Sequence, residues 1–212
     1  MATNETRLLL LGAVALFEPV NGYQIRRELL SWRVESWANI RPGSIYNGLA
    51  TLTQRGDLVR HDIRDGSRDV AVYELSDQGR AEFRRLYAAA LTEVRPSTPL
   101  AFQTAIAMLP LMTRAEVTSL LEQRLANLDR EAEEARTSPP DAGHTPPHAL
   151  AMVDYWGEIT SVERKWLVRL LERIAAGELS FHGEPMDWTP AADDPGHQMR
   201  YDQERYLALL RG

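Results

Sequence analysis

Cysteine is absent from the 212 residues of this sequence. Its absence excludes disulfide bonds, thiolate metal ligands and a cysteine nucleophile. It also fits a reducing compartment, so we expect a cytoplasmic protein.

Histidine is scarce, with five copies, and His144 and His148 flank prolines that obstruct the helical spacing of a metal pair. We predict no metal site and no cofactor. Because glycine-rich phosphate loops and nucleophile elbows are missing too, we predict that the chain is not an enzyme.

Long apolar runs are also missing. A membrane-spanning helix needs roughly 20 apolar residues, and the longest candidate here, Leu8–Phe17, contains Gly12 and stops at Glu18-Pro19. It lacks the basic flank and the small-residue cleavage site of a signal peptide. The run therefore predicts a buried helix, and we expect no membrane partner.

Lysine is nearly absent, since 23 of the 24 basic residues are arginine. The net charge of −6 is unevenly distributed: residues 1–90 carry 12 arginines and 11 acidic residues, whereas residues 91–212 carry 12 basic and 19 acidic residues. There is no polybasic tract, but the nearly neutral first part can still present a local basic surface.

Three helices are predicted in the first 55 residues. The apolar run is the first, Tyr23–Leu30 is the second, and a third begins at Pro42, a residue suited to a first helical turn. Pro19 and Asn21-Gly22 separate the first two. In the third helix Ile45, Leu49 and Leu52 recur at the spacing of one buried stripe.

A β-hairpin is predicted next. Leu58–Ile63 and Val70–Leu75 are β-prone, and residues 64–69 between them contain Asp65-Gly66, a hairpin turn signal. Ser76 then caps a helix that runs to about residue 92. Three helices followed by a hairpin is the order of a winged helix-turn-helix, whose third helix fits a major groove and whose wing reaches the adjacent backbone.

The second part of the sequence predicts long helices. Two prolines at 95–99 mark a boundary. Thr113 and Glu116 form a capping box that opens a helix ending near Arg136, and four prolines make 137–147 a loop. A second helix is expected over about 148–176, closed by Gly177. Residues 178–196 are predicted to be irregular, and residues 198–210 to form a final short helix.

We thus predict a mostly α chain, with a winged helix-turn-helix over 1–92 and a long-helix dimerisation domain over 93–212.

Four stretches resemble the PadR family of bacterial regulators. They are Gly22–Ile25, Pro42–Leu49, Arg55–Val59 and Tyr73–Gly79, in that order, and the second part is similar to the helical C-terminal domain of longer PadR proteins around Asp154–Trp156 and Glu163–Leu171. The resemblance implies binding of duplex DNA as a homodimer. It also implies repression, in many relatives relieved by a small molecule.

The sequence departs from the family pattern in three places. Arg41 replaces the usual capping Ser or Thr, Gly48 lies inside the third helix at a cost of about 1 kcal/mol against alanine, and Asn47–Gln54 lacks Lys and Arg. Because of the last departure, we expect more of the DNA affinity to come from the wing and from dimerisation.

Polar side chains off the buried stripe and at the wing are the expected DNA contacts. Asn and Gln can pair with adenine, Ser and Thr can touch phosphate or a thymine methyl, and Arg binds phosphate. Tyr46 either donates to phosphate or packs against the second helix, and a solvated polar face is the alternative for the rest. The predicted contacts are Arg41, Ser44, Tyr46, Asn47, Thr51, Gln54, Arg64, Ser67 and Arg68.

The long helices carry apolar stripes that we expect to form a two-fold interface, because a soluble monomer would leave too much apolar surface exposed. The predicted interface residues are Val117, Leu121, Leu125, Met152, Trp156, Ile159, Val162, Trp166 and Leu170. Since several PadR relatives bind flat aromatic compounds between the two halves of the molecule, the resemblance also implies an effector pocket, with Trp32, Trp37, Trp156 and Trp166 as candidates. Aromatic residues at helical spacing are otherwise core or interface.

Two functions remain open at this point. One is a DNA-binding repressor that acts as a homodimer on a pseudo-palindromic operator. The other is a winged helix used as a protein-interaction module, which the low basicity of the third helix favours. The salt dependence of binding to duplex DNA separates them.

Overall fold

The computed structural model describes residues 3–38, 40–141, 143–185, 189 and 191–211. In this part of the chain nine α-helices, one 3-10 segment and a three-stranded antiparallel sheet follow one another. Their bounds are α1 Asn4–Phe17, β1 Val20–Asn21, α2 Gly22–Ser31, α3 Val34–Trp37, α4 Pro42–Gln54, β2 Leu58–Asp65, β3 Arg68–Leu75, α5 Asp77–Thr92, α6 Leu100–Ala107, the 3-10 segment Leu109–Leu111, α7 Arg114–Thr137, α8 Pro147–Ala175 and α9 Pro195–Arg211. None of the described helices is both long and apolar enough to cross a membrane.

Helix α1 is the centre of the core. It begins earlier than predicted because the Thr3 hydroxyl accepts a hydrogen bond from the Thr6 amide, and every residue from Leu8 to Val14 is buried. It packs against α4 and β3 of the winged helix and also against α5 and α6. The prediction of a buried first helix is confirmed.

The helix-turn-helix differs from the prediction by one short element. Asn21 and Gln24 form a capping box at the start of α2, and α4 begins at Pro42 as expected. Between them lies α3, a single helical turn that the sequence did not reveal. At the start of α4 the Arg41 side chain makes no capping hydrogen bond, which confirms the loss of the usual cap.

The wing is longer and its loop shorter than predicted. Strands β2 and β3 pair along their whole length, so the loop consists of Gly66 and Ser67 instead of residues 64–69. Gly66 has a φ of 62°, and positive φ at only the first loop residue is typical of a type II′ turn, whose twist matches that of the strands. Strand β1 adds to the other side of β3, giving the order β1-β3-β2.

The base of the wing is fixed by a close contact between the α4–β2 turn and α5. The Ser76 hydroxyl accepts a hydrogen bond from the Gly79 amide, as the sequence predicts, and the Ser76 amide donates to the Asp57 carbonyl oxygen at 3.2 Å. A Cβ atom on Gly79 would overlap that carbonyl group. Only glycine therefore fits the point at which the wing joins α5.

Helices α7 and α8 form an antiparallel pair, with Arg124 donating to Glu163 at 2.6 Å near its middle. The predicted capping box at Thr113 is present, and the hydrogen bonds from Thr113 hold the pKa of Glu116 below its ordinary value. Gly177 has a φ of 77° just beyond α8, as expected for a C-terminal cap. Helix α6 and the 3-10 segment were not predicted.

Helix α9 packs on the winged helix, against α1, α2, β1 and β2. It begins before residue 198, so the final helix is longer than expected. The division into domains 1–92 and 93–212 stays a prediction, and α9 shows that residues of the second part contact the first.

We predict that Gly48→Ala destabilises the protein, although alanine is the better helix former. A Cβ at this position would overlap Leu10 Cδ1, and Leu10 is fully buried in the core. Overpacking of this kind costs about 1–3 kcal/mol. Gly43→Ala is the matched control, because a Cβ on Gly43 meets nothing within 4 Å. Urea unfolding should show Gly43→Ala at least as stable as the original protein, and equal stability of Gly48→Ala would contradict the prediction.

Candidate nucleic-acid interface

Helix α4 presents a polar face to solvent. Its stripe of Ile45, Leu49 and Leu52 is buried against the core, which turns the opposite side outward. Ser44, Asn47 and Gln54 are exposed there, and Thr51 is half-buried at its edge. The four predicted polar contacts of this helix therefore share one accessible surface.

The hydroxyl groups on this face are already used as donors. Ser44 Oγ donates to the Arg41 carbonyl oxygen at 2.6 Å, and Thr51 Oγ1 donates to the Asn47 carbonyl oxygen at 2.8 Å. The side-chain amides of Asn47 and Gln54 form no hydrogen bond with any described residue. These two amides are thus the free donors and acceptors of the face, whereas Ser44 and Thr51 offer acceptor oxygens and a methyl group.

Tyr46 packs against the second helix and remains partly exposed, so its geometry is compatible with both roles that the sequence left open. Its ring lies over the start of α2, where a Cβ added to Gly22 would come within 3.1 Å of Tyr46 Cε1. The side chain is nevertheless 45% exposed. Its hydroxyl has no hydrogen-bond partner among the described residues, so the ring packs on α2 while the hydroxyl stays available to a ligand.

Exposed arginines precede and follow α4 in the chain. Arg41 precedes α4, and Arg64, Ser67 and Arg68 are exposed at the tip of the wing. The strand register places Arg64 opposite Asp69, and Asp65 opposite Arg68. Within the described part of the chain, these three arginines form no ion pair, unlike Arg60 lower in β2, which pairs with Asp62 at 2.7 Å.

A residue from the far end of the chain also reaches the wing. Arg205 of α9 lies 2.9 Å from an oxygen of Asp65. This contact could not be predicted, because nothing in the periodicity or motifs of residues 195–211 indicates where that helix packs. Because Asp65 and Arg205 are 140 positions apart, no local sequence pattern indicates that they are neighbours.

The tryptophans are divided between two places. Trp32 and Trp37 line an open cavity of about 610 Å³ together with Gln103, Ile106 and Ala107 of α6. Trp156 and Trp166 do not line it: Trp156 is exposed, and Trp166 packs edge-on against Phe102 at 5.9 Å. The structure therefore joins two of the four predicted pocket residues and separates the other two from them.

The predicted interface residues are divided as well. Val117, Leu121 and Leu170 are buried within the single chain, whereas Met152, Trp156 and Val162 are exposed by 47%, 37% and 64%. Leu125, Ile159 and Trp166 are intermediate. Only the exposed and intermediate members have surface left for a second chain. Among the described residues, no three His, Asp or Glu side chains are grouped so as to hold a metal ion.

A family model matches part of the chain. Residues 10–85 match the model of the transcriptional regulator PadR-like family, and all four resembling stretches lie within that range. Residues 10–85 form a PadR-like domain. The PadR-like domain thus comprises most of α1, the helix-turn-helix, the wing and the start of α5.

Solved structures of PadR proteins are similar to a larger part of the chain. The Bacillus subtilis PadR in complex with operator DNA is 18% identical, with 77% of this chain and 97% of that chain covered and a TM-score of 0.33. A PadR-like transcriptional regulator from Bacillus cereus is 16% identical, with 79% and 94% covered and a TM-score of 0.35. A comparison with curated proteins gave no match.

Proposed function

We propose that this chain is a transcription regulator that binds duplex DNA through α4 and the wing. The observation that carries the proposal is the exposed polar face of α4, together with the exposed arginines that precede α4 and lie at the wing tip, within a PadR-like domain. A helix of this size fits the major groove, where Asn47 and Gln54 would read adenine edges. Arg41, Arg64 and Arg68 would bind phosphates and set the register.

A protein-interaction module is the competing function, because Asn47–Gln54 carries no basic residue. The two functions differ in their response to salt. Phosphate binding releases counterions, so DNA affinity falls steeply as salt rises, by about 0.9 logarithmic units per decade of salt for each phosphate contact. The test is fluorescence anisotropy over a salt series, with the duplex upstream of the protein's own gene. Weak binding at low salt, or a flat slope, would favour the interaction module.

We predict that Arg64→Ala combined with Arg68→Ala weakens binding to all duplex sequences about tenfold or more and flattens the salt slope, since phosphate contacts carry no sequence information. The melting temperature should not change, because neither side chain pairs with a described residue. The control is Arg84→Ala with Arg169→Ala, which removes the same charge from exposed positions on α5 and α8. If the two double variants bind equally well, the wing is not a contact.

We also propose that α8 forms a homodimer with its counterpart in a second chain. Every residue from 151 to 158 is exposed, although Met152, Val153, Tyr155 and Trp156 are among them. An apolar helix segment that its own chain leaves uncovered is a binding surface, and a two-fold pair would place two α4 helices on a pseudo-palindromic operator, about 34 Å apart. Repression by occupying such an operator is the mode that the PadR-like domain favours.

The dimer has its own test in Val162→Glu. Val162 is 64% exposed, so the charge does not disturb the fold of one chain but would be buried unpaired in the proposed interface. Sedimentation at micromolar concentration should give a monomer for this variant and a dimer for the original protein. Ser161→Glu, also exposed but about 100° around α8 from Val162 and away from the stripe of Met152 and Trp156, should remain dimeric. An original protein that sediments as a monomer and still binds its operator tightly would refute the interface.

The cavity beside Trp32 and Trp37 would accept a flat aromatic effector that releases the DNA. Coupling requires different affinities of the effector for the DNA-bound and free states. We predict that an aromatic ligand which quenches tryptophan fluorescence lowers DNA affinity, and that Ala107→Arg abolishes the response by filling the cavity. Ala126→Arg, exposed on α7, should leave it intact. If ligands quench the fluorescence without altering DNA affinity, the two tryptophans have only a structural role.

A further inference from the structure

Helix α9 contacts the winged helix through buried polar groups. Asp202 is 8% exposed and accepts a hydrogen bond from Gln24 at 2.7 Å, while the Tyr206 hydroxyl accepts one from Asn21 at 2.8 Å. Gln203 donates to the Glu18 carbonyl oxygen at 2.6 Å. Buried hydrogen bonds of this kind are directional, and breaking one leaves an unsatisfied polar group. They therefore fix the position and rotation of α9, not only its presence.

The same contacts involve the cap of α2. Asn21 and Gln24 are the two members of its capping box, and each uses a remaining group to bind α9. Asn21 also pairs with Val72 in the sheet. Val72 and Tyr206 are almost completely buried, yet they lie outside the principal apolar core. Helix α9 thus packs across the sheet from β1 to β2, and it is held beside the start of α2.

This placement brings Arg205 to the wing tip, where charge is balanced without it. Residues 64–69 contain two arginines and two aspartates. Register puts Asp65 and Arg68 on one face of the hairpin and Arg64 and Asp69 on the other. Arg205 approaches Asp65 at 2.9 Å and is held from its own helix by Asp202, also at 2.9 Å. Arg205 is therefore a third charged side chain on the face of the hairpin that carries Asp65 and Arg68.

We propose that Arg205 is a positioning residue of the DNA-binding surface, which neutralises Asp65 so that Arg68 can bind a phosphate without a competing carboxylate. The proposal rests on the proposed binding of DNA. An unpaired Asp65 would attract Arg68 and repel the phosphate, whereas a paired one does neither. Electrostatic complementarity at the rim of an interface acts in this way on affinity and on the rate of association.

The test compares Arg205→Ala, Asp65→Asn and the double variant as full-length proteins, by anisotropy with the same duplex and salt series. We expect Arg205→Ala to weaken binding by about threefold to tenfold, because an ion pair near the surface contributes modestly and two wings would meet each operator. Asp65→Asn should bind at least as tightly as the original protein. The double variant should recover that affinity, since no carboxylate is left to neutralise.

Other outcomes overturn the proposal in distinguishable ways. A double variant as weak as Arg205→Ala, with a salt slope lowered by about 0.9, would make Arg205 a direct phosphate contact. A weak double variant with a lower melting temperature would make it a structural residue of α9. Arg200→Ala, exposed on the same helix, is the control and should bind normally. If the original protein itself fails to bind duplex DNA, the proposed function fails; if it binds and Arg205→Ala binds equally, only this inference does.

Discussion

The need to cover α1 on every side determines how the rest of the chain is arranged. Seven consecutive residues, Leu8 to Val14, are buried, whereas a surface helix buries only one stripe. The winged helix supplies one part of the cover, and α5, α6 and the 3-10 segment supply the other. The apolar core therefore continues from Leu8 to Met199. As a result, α4 packs directly on α1, and the α7–α8 pair is connected to α1 through α5.

Local signals in the sequence were enough to predict the winged helix. The change from helical to alternating period, the Asp65-Gly66 turn and the Ser76 cap act over a few residues, and each is visible along the chain. The predicted length of the wing loop was wrong, because β2 and β3 pair up to Asp65 and Arg68 and leave only two residues in the loop. Helices α3 and α6 were missed because they are short, at four and eight residues, and carry no capping signal of their own.

The candidate site was less predictable than the fold. The side of α4 that faces solvent follows from its buried stripe, so Asn47 and Gln54 could be named from the sequence. The use of the Ser44 and Thr51 hydroxyls by backbone carbonyls depends on rotamers, which sequence does not specify. An apolar stripe indicates that a helix packs against another element, but it does not identify that element. Leu121 and Trp156 lie on two such stripes, and the first is buried inside its own chain while the second is exposed.

The pairing of Asp65 with Arg205 also has a consequence for the timing of protein synthesis. A chain grows from its N-terminus, and 140 positions separate the two residues. At about 5 to 20 residues per second, the ribosome needs about 7 to 28 seconds to add them. During that interval the wing tip of the nascent chain carries two arginines against two aspartates. The surface proposed to bind DNA is therefore completed only when α9 has left the ribosome and folded back onto the start of α2.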